Sequence, residues 1–152
     1  MSELLNSPSN IAVFRTELLS WYRANKRSLA WRDSDDPYHV WISEIMLQQT
    51  RVDQMDNYFT RFIERFPALV DLAAAQEADV LKVWEGLGYY ARARNMHKAA
   101  QLIVAEHGGR VPKTYEELIA LPGIGEYTAA AVSSIAFDRD HAVLDGNVVR
   151  VL

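Results

Sequence analysis

An all-α fold is what this sequence predicts, and three observations carry that reading. Apolar residues recur at three- and four-residue intervals in one stretch after another, the spacing of a single helix face. The gaps between those stretches are short and hold prolines, glycines or capping residues. Strict apolar/polar alternation is missing, with His141 to Leu144 as the one short strand candidate.

Taken in order, Ser9 or Asn10 caps a first helix whose apolar positions Ile11, Phe14, Leu18, Trp21 and Tyr22 share a face. Lys26 and Arg27 suit its C-terminus. The polar loop Arg32 to Asp36 leads to Pro37, a residue favoured at the first helical position, with Asp36 as N-cap. The second helix runs from Pro37 to Gln49 with Val40, Trp41, Ile45 and Met46 apolar, and places Glu44 and Gln48 one turn apart on one face. A third, Val52 to Phe66, carries Met55, Tyr58, Phe59, Phe62 and Ile63, and Pro67 stops it. Short helices over Pro67–Ala74 and Gln76–Trp84 precede the break at Gly86-Leu87-Gly88. From Tyr90 to His107 the pattern turns Ala93, Met96, Ala100 and Ile103 inward and the basic residues outward, until Gly108-Gly109 ends it. Thr114 with Glu117 three residues on is a capping box. Leu118 and Leu121 then lead into the corner Leu121-Pro122-Gly123-Ile124-Gly125. Beyond it Ala129, Ala130, Ala131, Val132, Ile135 and Ala136 make a helix apolar on all sides, as a buried central helix is.

A length of 152 residues suits one domain with a real core, and the 49% hydrophobic content is ordinary for a folded chain. No apolar run is long enough to span a membrane, and the N-terminus has no secretory pattern. Cysteine is absent, which removes disulfides, thiolate metal sites and Cys nucleophiles and fits a cytoplasmic location. The net charge of −4 argues against nucleic-acid binding when taken alone. Its distribution softens that point. Between Tyr89 and Lys113 stand Arg92, Arg94, Lys98, Arg110 and Lys113 against the single acid Glu106. Such a face grips phosphates or is ordinary solvated helix surface.

Two glycines flank one aliphatic residue in the corner. Glycine takes φ > 0 and lets a ligand approach the backbone, and the first turn of the next helix has N–H groups without partners. A phosphate fits such a corner; a plain joint between helices is the other reading. Glu44 stands among Trp41, Ile42, Ile45, Met46 and Leu47. It is either a rim carboxylate in water or a buried one, whose pKa rises until it donates a proton near neutral pH. Asp145 reads as an N-cap for a helix from about Asn147, or as the ionised partner of a catalytic acid, and the two roles coexist. Leu87-Gly88-Tyr89-Tyr90 offers core aromatics or a ring to insert between bases. Gln48, Gln49 and Thr50 suit a base edge or a polar helix end. His39, His97, His107 and His141 have no metal-ligand spacing, so no metal site is expected from side chains.

Together these segments resemble a known family. Leu121-Pro122-Gly123-Ile124-Gly125 and the Ala-rich helix look like the helix–hairpin–helix of the base-excision DNA glycosylases. Trp31-Arg32, Ser43 to Thr50, Trp84 to Tyr90 and Leu144 to Val148 resemble one branch, the adenine DNA glycosylases (the MutY family). That branch removes adenine mispaired with 8-oxoguanine or guanine in double-stranded DNA. The resemblance implies that Glu44 protonates the departing base and that Asp145 stabilises the cationic sugar, with Tyr127 and Asn147 helping to hold this constellation. It further implies that Trp31 and Arg32 line the adenine pocket. Gln48, Gln49, Thr50 and Leu87 would serve substrate binding, with Gln49 and Thr50 meeting 8-oxoguanine, and Tyr89 is the wedge. Gly123, Ile124 and Gly125 grip phosphate, helped in the family by an alkali cation on the hairpin backbone. The rival expectation is a non-catalytic helix–hairpin–helix DNA-binding fragment.

Full-length members continue into four cysteines that hold a four-iron, four-sulfur cluster and then a domain that recognises 8-oxoguanine. The expected organisation is therefore a truncated helical bundle. Residues 1–29 form a helix that belongs with the cluster domain, 30–137 the core with the hairpin near 114–137, and 138–152 the aspartate loop and the start of another helix. Apolar surface left bare on the first helix favours self-association. Bifunctional relatives such as endonuclease III carry a lysine nucleophile where this chain has Tyr127. Borohydride treatment on an adenine-mispair duplex is therefore expected to trap no adduct at that position, as mass spectrometry of the peptide would show.

Overall fold

The computed structural model describes residues 7–29, 31, 34 and 36–151, for Asp53 the backbone only. Contacts divide the chain into two units. One is Leu29–Val143; the other joins the segment ending at Ser28 to the segment beginning at Leu144. No strand occurs among the described residues, and His141 to Leu144 is irregular coil.

The larger unit is arranged about α2 (Pro37–Leu47), which touches α3 (Val52–Arg65), α6 (Ala91–His107) and α8 (Glu126–Phe137). Asp36 caps α2 through its carboxylate, which accepts from the Tyr38 N–H at 2.8 Å, and Pro37 takes the first position. From Val40 to Met46 every residue is buried, because other helices cover this one on all sides. Along α3, Met55, Phe59 and Phe62 form the inner face, and Phe66 beyond it continues the stripe. Phe62 packs on Phe66 at 5.1 Å and edge-on against Trp84 at 6.2 Å. Tyr38 donates its phenolic hydrogen to the Phe66 carbonyl at 2.9 Å, and burial raises its pKa well above the usual phenol value.

The short helices α4 (Leu69–Ala74) and α5 (Glu77–Val83) pack on α6, whose buried positions include Ala93, Met96, Ala100 and Ile103 as its spacing predicts. Gly108, in the left-handed conformation, ends α6. In α7 (Tyr115–Ile119) Thr114 and Glu117 cap one another: the Glu117 N–H donates to the Thr114 hydroxyl at 3.3 Å and the Thr114 N–H to the Glu117 carboxylate at 3.3 Å. The α7–α8 turn closes when the Ile124 N–H donates to the Leu121 carbonyl at 3.2 Å. The central helix expected from Ala129 onward is buried from Thr128 to Ser133, but Ile135 faces out. His141 lies stacked on Tyr115, ring centres 5.1 Å apart.

In the smaller unit, α1 (Pro8–Asn25) is capped by Ser7, not by Ser9 or Asn10, since Ser7 accepts from the Asn10 N–H and Pro8 takes the first helical position. Neither α1 nor α9 (Gly146–Val151) has a buried residue, and Trp21 on the apolar face of α1 is 62% exposed.

Gly123 sits at φ +76°, where an added Cβ would come within 2.7 Å of Asn95 Cβ. Both the strained dihedral and the collision resist a side chain, so Gly123→Ala is expected to cost about 1–3 kcal/mol. A lowered midpoint in a thermal melt followed by circular dichroism checks this.

Candidate active site

A carboxylate inside the helical core is the least ordinary feature of this chain. Glu44 is 9% exposed, on the third turn of α2 between Trp41 and Ile45, both in the core. Its neighbour Ser43 has satisfied its own hydroxyl by donating to the Val40 carbonyl at 2.8 Å. Of the two readings open from the sequence, the buried one holds.

The helix stops at Leu47, two residues short of the expected Gln49, so Glu44 and Gln48 do not share a helical face. Gln48 has left helical geometry, and its amide donates to the Thr128 hydroxyl on α8 at 3.0 Å. Gln49 is exposed and left-handed at φ +58°. With Thr50 it borders a cleft of about 250 Å³ that Gln54, Asn57, Tyr58, Gly86 and Leu87 complete. Every polar side chain in that lining is neutral. Gly86, at φ +99°, has the Tyr58 hydroxyl lying where a Cβ would be. Leu87 itself is buried, whereas Tyr89, at φ +47°, is 64% exposed.

Arg92 is not on the outer face where the helical pattern puts it. The partly buried guanidinium lies between the end of α2 and the loop before α6. Its Nη1 donates to the carbonyls of Ile45 at 3.1 Å and Met46 at 3.0 Å, to that of Gln48, and to the Thr50 hydroxyl at 3.3 Å. Its Nη2 donates to Thr50 Oγ1 at 3.3 Å and to the carbonyls of Leu87 at 3.1 Å and Gly88 at 3.3 Å. The same group lies over the rings of Trp84 and Tyr89, 5.3 and 5.7 Å from their centres. Burial lowers its pKa from the ordinary value, yet an arginine stays cationic at neutral pH. Gln54, Asn57, Tyr58 and Arg92 are site neighbours that sequence reasoning missed. On a helical pattern, amides facing a cleft look the same as amides facing water.

Trp31 is a core residue, edge-on to Phe59 at 6.0 Å, and Arg32 lies outside the described residues. In the hairpin the Ile124 side chain is buried and its N–H is turned into the Leu121 turn. Gly125 and the first turn of α8 form the outward part of the corner, and no side chain caps that helix end. Tyr127 stands in this turn, 39% exposed. The sequence holds no cysteine, the usual ligand of an iron–sulfur cluster.

In the smaller unit Asp145 heads α9. One carboxylate oxygen accepts from the N–H groups of Asn147 at 2.9 Å and Val148 at 2.8 Å, and the other from the Asn147 side-chain amide at 3.0 Å. These bonds, the Val148 N–H first, hold the Asp145 carboxyl below the usual aspartate range. It is thus an N-cap and an ionised carboxylate at once.

Two helices joined by a Pro-Gly turn, the second with an uncapped N-terminus, define a helix–hairpin–helix protein. The model of the HhH-GPD superfamily base excision DNA repair proteins matches residues 42–152, and the chain belongs to that family. It is 47% identical over 158 aligned residues to the adenine DNA glycosylase of Mus musculus, covering 98% of this chain but 31% of that relative's length. Among solved structures it resembles a thermostable thymine-DNA glycosylase (TM-score 0.86, 30% identity, 92% of this chain and 65% of that one). It also shares the fold of endonuclease III in a non-covalent complex with DNA (TM-score 0.81, 24% identity, 97% and 68%).

A carboxyl whose folded pKa is depressed contributes stability above its unfolded pKa and loses it as pH falls through the folded one. The Asp145 cap is therefore expected to persist to pH values below the ordinary aspartate range. A carbon-13 titration of that carboxyl checks this, and Asn147→Ala should move its midpoint upward.

Proposed function

We propose that this chain is the catalytic core of an adenine DNA glycosylase that hydrolyses the N-glycosidic bond of adenine mispaired with 8-oxoguanine or guanine in duplex DNA. The buried Glu44 carries the reading. Breaking this bond requires the departing base to be neutralised and the developing sugar cation to be offset. Neutral Glu44 gives its proton to the adenine ring, and ionised Asp145, held by Asn147, supplies the negative charge. Tyr127 replaces the lysine of bifunctional relatives, so water rather than an amine takes the sugar. A base inside a duplex is out of reach, so it is flipped out, at less cost in a mispair. In this reading Tyr89 fills the gap and the uncharged amides of Gln49 and its neighbours read the opposite base.

Gly125 and the first turn of α8 take a DNA phosphate. An alkali cation at the hairpin would be held by backbone carbonyls alone, since the side chains from Leu121 to Gly125 are aliphatic or absent. Among the described residues no helix is long and apolar enough to cross a membrane; we assign the activity to the bacterial cytoplasm, at the nucleoid. The bare apolar face of α1 supports self-association of this chain in isolation.

The test uses the complete protein that carries this sequence on an 8-oxoguanine:adenine duplex. Base release is expected, and Glu44→Gln should slow it by about 10²- to 10⁴-fold, the usual worth of a positioned acid, with binding retained. Unchanged release in the variant would refute the assignment. Wild-type binding with no release would leave a non-catalytic DNA-binding module.

A further inference from the structure

We propose that Arg92 is a positioning residue that sets the spacing of two base-contacting turns, and so determines how well the base opposite the target adenine is recognised. This rests on the glycosylase reading above and adds to it a residue that touches neither the adenine nor the sugar.

Three non-glycine residues among those described have positive φ; one, Gln49, lines the cleft, and another, Tyr89, lies two residues beyond its Leu87. A left-handed conformation costs an L-residue about 1–2 kcal/mol, so each must be held there by its surroundings. The Arg92 guanidinium donates to the carbonyl of Gln48 and to that of Gly88. These are the peptides immediately before Gln49 and Tyr89. One planar cation thus holds both strained residues by the peptide that enters each of them.

The same group joins the two turns to each other. Thr50 Oγ1 accepts from both Nη atoms, and the Leu87 carbonyl accepts from Nη2. Gly88 is held a second time by the Trp84 indole N–H, which donates to its carbonyl at 3.0 Å, while Arg92 lies over the Trp84 ring. Among the described residues Arg92 Nε is buried without a hydrogen-bond partner, so the bonding is concentrated in the two terminal nitrogens that face the turns. A lysine at this position would bring a point charge of three donors, too compact to span acceptors on two loops. The device depends on the fork.

The experiment uses the complete protein with Arg92→Lys, Arg92→Met and Trp84→Phe. Dissociation constants are measured for duplexes that place a cleavage-resistant adenosine analogue opposite 8-oxoguanine or opposite guanine, beside single-turnover excision rates at saturating enzyme. The preference for 8-oxoguanine is expected to fall about tenfold in both Arg92 variants, the worth of one good base contact, while the saturated rate changes less than about threefold. Failure of lysine to rescue the preference separates the fork from the charge. A purely structural role would lower the melting midpoint and the rate together and leave the preference intact; that result, or an unchanged preference, would overturn the proposal. Should the Arg92 variants not fold, Trp84→Phe decides, because it removes the other donor on the Gly88 carbonyl and no base contact: a smaller loss of preference supports the proposal and none overturns it. A wild-type protein that releases no adenine sinks the glycosylase reading, and this proposal with it. An active wild type whose preference survives substitution sinks the role of Arg92 alone.

Discussion

A helix enclosed by protein on every side must still satisfy the carbonyls of its last turn. Four carbonyls at a helix C-terminus have no partner within the helix, and each one left buried and unpaired costs about 1–3 kcal/mol. In α2 that demand falls on Arg92, which answers Ile45 and Met46 from a different helix. The arrangement lets α2 end inside the molecule. The closing of that helix and the anchoring of the turns beside it draw on one cation.

The larger elements were legible because each was signalled by more than one feature. Asp36 followed by Pro37 marked the start of α2 in side chain and backbone alike, and Thr114 with Glu117 marked α7. The inner face of α6 came from spacing alone, since Ala93, Met96, Ala100 and Ile103 are buried where the helical period puts them. Arg92 escaped because periodicity assigns a face to the Cα and says nothing about where a long side chain ends. On a helix, side chains lean towards the N-terminus. From the second residue of α6, Arg92 therefore reaches back over Gly88 and on to the end of α2. The end of α2 was misplaced for a related reason. Gln48 and Gln49 are good helix formers, and only the pull of Thr128 and Arg92 shows that they leave the helix.

The site was legible less evenly. Glu44 stood out as a carboxylate among large apolar residues, but the sequence alone left its burial open; the three helices around α2 settle it. Asp145 was read as both cap and anion, and its two short bonds from backbone N–H groups give it both properties. Gln54 and Asn57 had no such signal. They matter through Tyr58 and Gly86, which close the cleft beside them, and that closure depends on a glycine two helices further along the chain.

An acidic chain that grips a polyanion, as proposed, must find its attraction locally. The five cations between Tyr89 and Lys113 look like the source, but the fold uses several of them otherwise. Arg92 is turned inward, Arg94 lies 3.5 Å from Glu77, and Lys113 sits over the Phe137 ring. Exposed ion pairs are weak and open easily, so Arg94 remains a partial contributor. On the proposed reading, the uncapped first turn of α8 supplies a different kind of attraction. Its N–H dipoles belong to the backbone, need no side-chain ordering, and bind an anion without requiring net positive charge on the protein. Because fixed dipoles aim at one phosphate and do not spread a field over the surface, they favour a bent or opened duplex presented at the right angle over DNA in general.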